Sequence, residues 1–347
     1  MSSNVFLQLR HFHVYFECLM GFFSYILNFL VIYLALYKSN KALKEYRVII
    51  VWSACVDLIF NTANVLTMQL ADLTFGKLYF TNAGPLEYVP QPYNLFACVF
   101  WMFGLYLTVV NVAMTFLFRY NILCRDKRSY LRTFIKIYVI CVVLIAVQSG
   151  LGFVCFETNE GSHHYTLELK SNGLFAVETP PFSVVDASTI KGAIHLVNTN
   201  LITTASYVVV FWTGTRIHRM LRASRMHMSS ATIAVQKQLT MILCLQSFYP
   251  FVMLAVPIFL AAGLPLFGLK SRGLGLILCC LVTGLPLINA VTVIFVVPSF
   301  RRAVLFRSRP STVMTTIADV SSKVETNRRA FYYPQRSNLN GASDKVL

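Results

Sequence analysis

Asp57 sits in the middle of an apolar block, residues 48–70, where bulk water cannot solvate a carboxylate. Such a group has to face a protein interior, and its chemistry is narrow. It either holds a cation or stays protonated and hydrogen-bonded. Asn28, Asn111 and Asn289 lie at middle depth in other apolar blocks and are its candidate partners. Arg119, within Phe118-Arg119-Tyr120, closes the block that holds Asn111. A guanidinium at such an edge can bond neighbouring helices in one state and a docked partner in another. Trp101, Tyr106, His195, Asn198, Phe248 and Tyr249 combine aromatic faces with a few polar groups, a lining suited to a small, mostly apolar ligand. No paired catalytic carboxylates, nucleophile triad or phosphate loop stands in a supporting context. His11, His13, His163 and His164 do not supply four clustered metal ligands. The expected chemistry is therefore binding and switching, with no enzymatic step, no metal and no cofactor.

These residues need a scaffold, and the composition says which. Of 347 residues, 56% are hydrophobic and 13% charged, against about 25% charged in an ordinary soluble domain. The charges cluster between seven apolar blocks near 15–37, 48–70, 94–118, 134–156, 193–213, 239–262 and 273–298. Each is long enough to cross a bilayer as a helix, which takes roughly 20 residues. The first block is too long for the apolar core of a signal peptide and is expected to remain as the first span.

Orientation follows from lysine and arginine in the connecting segments. The N-terminal segment and the second, fourth and sixth loops carry 6 cations in all, whereas the first, third and fifth loops and the tail carry 23. The N-terminus is thus outside and the tail cytoplasmic. The fold expected is an all-α, seven-transmembrane helix bundle of the G-protein-coupled receptor type. The net charge of +16 belongs to a face that meets anionic lipid and an intracellular partner, and calls for no nucleic acid. Inverted-repeat transporters show two similar halves, and no such repeat is visible here.

Within that frame, 1–14 form an extracellular segment, 15–298 the receptor domain, 299–307 an amphipathic membrane-surface helix and 308–347 a disordered tail. The surface helix places Phe300, Ala303 and Val304 on one side. Arg216 and Arg219 lie on an expected cytoplasmic extension of the fifth helix. Pro250 and Pro257 predict a kinked sixth helix. In the long fourth loop, 165–170 alternates apolar and polar residues before Asn172-Gly173 and 174–177, the pattern of a short extracellular β-hairpin. Cys98 and Cys155 lie near outer helix ends, and a disulfide between them is compatible with an oxidising exterior. Glu17, near the outer end of the first helix, reads as a snorkelling interfacial acid.

Several segments resemble nematode serpentine chemoreceptors of the Str superfamily, most closely class delta. They are Leu43-Lys44-Glu45-Tyr46-Arg47, Phe118-Arg119-Tyr120, Gln236-Lys237-Gln238-Leu239 leading to Gln246 and Pro250, and Pro286 followed by Val297-Pro298-Ser299-Phe300-Arg301. The resemblance covers most of 15–307. It departs at Phe300, where the family usually has tyrosine, and at Asn289-Ala290, where it usually has Asp-Pro. It implies a sensory receptor for small odorant or soluble chemical ligands, acting through a heterotrimeric G protein. A receptor-like protein without coupling, or a small-solute transporter or channel, are the alternatives.

Overall fold

The computed structural model describes residues 3–38, 47–74, 76–124, 130–160, 163–170, 179–223, 245, 247–269, 271 and 273–305. Among these, seven helices are long and apolar enough to cross a bilayer: Gln8–Tyr37, Arg47–Thr67, Tyr93–Ile122, Arg132–Cys155, Ile190–Met220, Ser247–Phe267 and Leu274–Val296. The protein is a multi-pass membrane protein. The third span is the most enclosed, and its Leu105, Tyr106, Val109 and Val110 form the centre of the main core. By contrast Phe22, Phe29 and Tyr33 on the first span and Val143, Leu144 and Val147 on the fourth point outward, as a lipid-facing surface requires.

Prolines shape the sixth and seventh spans. Pro257 has no N–H to give the preceding turn and crowds its carbonyl. The chain answers with a π-helical turn, Phe251–Ala255, before the α-helix Val256–Gly263 and a 3-10 turn, Leu264–Phe267. The seventh span breaks at Gly284, with Leu274–Thr283 above it and Leu285–Val296, carrying Pro286, below. The short helix Pro298–Val304 follows, and its Phe300 is fully buried against Val31, Leu34, Ala290 and Ile294.

The outer mouth carries a feature only partly foreseen. Strands β1 (Gln69–Thr74), β2 (Lys77–Asn82), β3 (Glu157–Thr158) and β4 (Phe182–Asp186) form an antiparallel sheet in the order β1-β2-β4-β3. β1 and β2 make a hairpin with Thr74 opposite Lys77, turning through Gly76 at a φ of 75° that favours glycine. Alternation decides the two faces. Ala71, Leu73, Leu78, Phe80 and Val185 face the bundle core, while Tyr79, Phe182 and Val184 pack under the helix His163–Lys170.

That helix corrects the expected hairpin. Residues 165–170 are helical, because Tyr165 and Leu169, four residues apart, share the face that packs on the sheet, while Leu167 is exposed. Residues 171–178, the expected second arm, lie outside the described set. The fourth loop does contribute β-structure, from 157–158 and 182–186 instead.

Ionic contacts pin this cap. Lys77 Nζ lies 2.5 Å from Glu168 Oε2, which also accepts the Tyr79 hydroxyl at 3.0 Å. Asp186 accepts the Ser188 N–H at 2.8 Å, its hydroxyl at 2.6 Å and the Tyr165 hydroxyl at 3.1 Å. Burial alone would raise the Asp186 carboxyl, but the Ser188 and Tyr165 bonds and the charge of Lys77 outweigh it and hold it below the usual carboxylate range. The folded pKa is the lower one, so the stabilisation is complete above the unfolded value of about 4 and is lost as pH falls through the folded value. Hydrogen exchange on β2 and β4 should therefore lose protection on the acid side in the wild type. In Asp186→Asn that acid limb should flatten.

Two further expectations change. Cys98 is buried in the main core and Cys155 is half-exposed at the end of the fourth span; both are free thiols, so the envisaged disulfide is not made. Glu17 does not snorkel. It is 1% exposed, accepts the Thr283 hydroxyl at 2.6 Å and lies 3.1 Å from His13 Nε2, so it ties the first span to the seventh.

Candidate functional site

Among the described residues, two cavities lie along the bundle axis. The outer one, about 60 Å³, is walled by Trp101, Met102, Leu105 and Tyr106 of the third span, and by His195, Leu196 and Thr199 of the fifth. Pro257, Ile258, Ala261 and Ala262 of the sixth and Leu278, Cys279 and Val282 of the seventh complete the sides. Its roof is the inner face of the cap: Ala71, Leu78, Phe80 and Val185. The lining is apolar, and its few polar atoms are turned into the protein. Trp101 Nε1–H donates to Asn64 Oδ1 at 2.5 Å. The Tyr106 hydroxyl meets Thr199 Oγ1 at 2.7 Å, and Thr199 donates to the His195 carbonyl at 3.0 Å.

The sequence candidates divide here. Trp101, Tyr106 and His195 meet in this cavity, whereas Asn198, one position before Thr199, does not line it. Phe248 and Tyr249 belong lower. The sixth span runs outward to Phe267 rather than ending near 262, so both residues fall in the inner half. Phe248 is on the exposed surface and Tyr249 lines the second cavity. The roof was invisible to sequence reasoning because the second span was read through to 70. Thr199 could have been found as the residue one helical turn from His195.

The inner cavity, about 90 Å³, holds the polar residues of mid-membrane depth: Asn28, Ser53, Asp57, Asn111, Thr115, Arg119, Tyr249 and Asn289. Asn289 Nδ2 donates to Asp57 at 3.1 Å and 3.4 Å, joining the seventh span to the second. Asn28 Nδ2 donates to the Pro286 carbonyl at 3.3 Å and to Ser24 O at 2.9 Å, while its Oδ1 is buried without a partner. Asn111 donates to Ser53 Oγ at 3.3 Å and accepts from the Tyr138 hydroxyl at 3.2 Å. Of the three asparagines, Asn289 is the one that bonds Asp57; Asn28 and Asn111 share the cavity with it and bond elsewhere. The Pro286 carbonyl sits at the break in the seventh span, so Asn28 braces that break from the first.

Arg119 stands at the cytoplasmic end of this cavity, and Pro250, which opens the π-turn, also lines it. Its neighbour Tyr120 packs on Trp212 with ring centroids 5.3 Å apart, and Arg216 lies over the same indole at 5.9 Å. Arg219 is exposed on the same helix. The basic loop 125–128, the segment 236–239, Gln246, residues 43–46 and the tail beyond 305 are outside the described residues.

Comparison with known proteins fits this architecture. The sequence matches the family described as serpentine type 7TM GPCR chemoreceptor Str over residues 13–305. It is 25% identical over 261 residues to serpentine receptor class delta-18 of Caenorhabditis elegans, covering 72% of each chain. It is 24% identical over 289 residues to serpentine receptor class delta-19 of the same organism, covering 80% of this chain and 82% of that one.

Proposed function

The chain belongs to the Str family of serpentine seven-helix chemoreceptors, and from that premise we propose that it binds a small chemical ligand in the outer cavity and activates a heterotrimeric G protein. The observation that carries this reading is the outer cavity itself, apolar, lined by four spans and roofed by the cap. The inner cavity is the transmission element. It joins Asp57, Asn289 and the broken seventh span to Arg119 at the cytoplasmic end. The sixth span, π-wound between two prolines, lines both cavities, so a ligand against Pro257 and Ile258 can bias the position of its inner end near Pro250. The basic cytoplasmic extension of the fifth span, with Arg216 and Arg219, is the docking surface for the G protein. The proposed location is the plasma membrane of sensory cilia.

A second-messenger assay in cells expressing the full chain tests the reading, using a panel of small volatile and water-soluble compounds. Ala261 lines the cavity and is only partly buried, so Ala261→Phe obstructs the cavity at limited cost to the fold. A dose-dependent response in the wild type that is lost in this variant, at equal surface expression, is the expected result. A response that survives the filling moves the ligand elsewhere. Ligand-independent solute flux in proteoliposomes would favour the channel alternative.

A further inference from the structure

The polar residues in the wall of the outer cavity keep their hydrogen-bonding groups away from its surface. The indole N–H of Trp101 is held by Asn64 Oδ1, an atom behind the lining. The Tyr106 hydroxyl and Thr199 Oγ1 bond each other, and Thr199 bonds back to the His195 carbonyl of its own helix. That carbonyl also accepts from Gln148 Nε2 of the fourth span at 3.2 Å. The His195 ring stands edge-on to Phe156, which lies outside the lining, with centroids 5.1 Å apart, and its Nε2 is buried.

The roof and the sixth span follow the same rule. β2 runs between β1 and β4, so Leu78 and Phe80 offer side chains while their backbone belongs to ladders on both sides. Pro257 has no N–H to offer, and Ile258, Ala261 and Ala262 beside it are aliphatic. The result is a cavity whose surface carries no polar atom. The inner cavity, with Asp57, Asn111 and Arg119 in its wall, is its chemical opposite.

We propose that the outer cavity selects small hydrocarbons and other molecules without a hydrogen-bonding group, and recognises them by volume and shape alone. The inference rests on the reading of the outer cavity as the ligand site and adds what that site rejects. A carbonyl, hydroxyl or amine entering it leaves its water partners behind and meets none in the wall. An apolar molecule has no such partners to lose and gains by removing its surface from water. The volume of about 60 Å³ sets the size class, since it admits only a few heavy atoms before the walls must yield.

The test uses the full chain in lipid nanodiscs and ligand-observed NMR with isobutene and acetone, a pair of one shape in which =O replaces =CH2. Affinities are referred to the free aqueous concentration, and binding that persists in Ala261→Phe nanodiscs is subtracted as partition into lipid. Isobutene should show saturable binding that Ala261→Phe removes. Acetone should bind roughly tenfold more weakly or worse, the size of one carbonyl desolvated without a partner. Tyr106→Phe should leave that ratio unchanged, because the hydroxyl it deletes faces Thr199. Acetone binding as tightly as isobutene, or a ratio that moves in Tyr106→Phe, would overturn the selectivity. If Ala261→Phe still blocks both probes in that case, the cavity stands as the ligand site. If neither probe shows binding that Ala261→Phe removes, the selectivity and the cavity reading fall together. Should Ala261→Phe fail to fold, Ala261→Leu is the smaller plug at the same position and decides between the same outcomes.

Discussion

Arg119→Ala should silence the ligand response while leaving surface expression, orientation and ligand binding intact. The alternative role for this residue, a cation that sets topology, makes the opposite prediction. The cytoplasmic segments carry 23 lysines and arginines against 6 outside, so removing one leaves 22 against 6 and the same orientation. A lost signal in a correctly oriented variant therefore belongs to what Arg119 does locally. It lies at the floor of the inner cavity with Asp57, Tyr249 and Asn289, on the same helix as Trp101 and Tyr106, thirteen residues beyond Tyr106. The guanidinium offers five donors in a planar fork, so Arg119→Lys, which keeps only the charge, should recover a fraction of the response at most. The measurements are a second-messenger dose–response curve and antibody access to an N-terminal tag on intact cells. An unaltered response in Arg119→Ala would end the switch assignment.

Why the inner cavity was more legible than the outer one follows from the cost of polar groups in a membrane. Asp57, Asn28, Asn111 and Asn289 stand out in any apolar block, and a charged or amide group at that depth has to find other polar groups. Their convergence on one cavity was therefore written in their depth, although which asparagine reaches the carboxylate was not. The outer cavity is built from apolar residues, and Leu105 or Ile258 looks the same in sequence whether it lines a cavity or fills a core. Phe248 and Tyr249 failed for a related reason. Depth along a uniformly apolar helix depends on knowing both ends, and the outer end of the sixth span lies at Phe267 beyond Gly263 and Pro265.

The cap shows a different kind of ambiguity. Gln69–Thr74 and Lys77–Asn82 are two six-residue strands about a glycine turn, a readable hairpin signal, but an apolar block can absorb the first of them as helix. In the fourth loop the reverse happened, because Tyr165, Leu167 and Leu169 satisfy both a period of two and, through the outer pair, a spacing of four. Tertiary packing under the sheet decided for the helix. Glu17 depended wholly on context, since an acid near a helix end can reach the interface or turn inward, and Thr283, across the bundle on the seventh span, distinguishes the two.

That cap is held to the bundle by a contact with no room for a side chain, and Gly275→Val should detach it. Gly275 lies in the first turn of the seventh span, where a Cβ would stand 2.1 Å from the Ala71 carbonyl oxygen and 2.6 Å from its carbon. Both atoms are backbone, so relief requires moving β1 by about an ångström. β1 cannot move alone. It is registered along its whole length with β2, bridged at Leu73 to Ser271, and its Ala71 and Leu73 are packed in the main core. The expected cost is about 3 kcal/mol or more, at the upper end of overpacking, and Gly275→Ala should already show most of it because the clash begins at Cβ. Gly263→Ala is the matched control. Nothing lies within 4 Å of its Cβ position, so the change should be neutral or stabilising by up to about 1 kcal/mol. Thermal unfolding in nanodiscs measures both, and hydrogen exchange on β1 and β2 tells a detached cap from a collapsed bundle. Because Ala71 also roofs the outer cavity, a variant that folds with its cap displaced should lose ligand binding as well. Wild-type stability in Gly275→Val would mean that β1 is not seated against the seventh span, and the roofed outer cavity would fall with it.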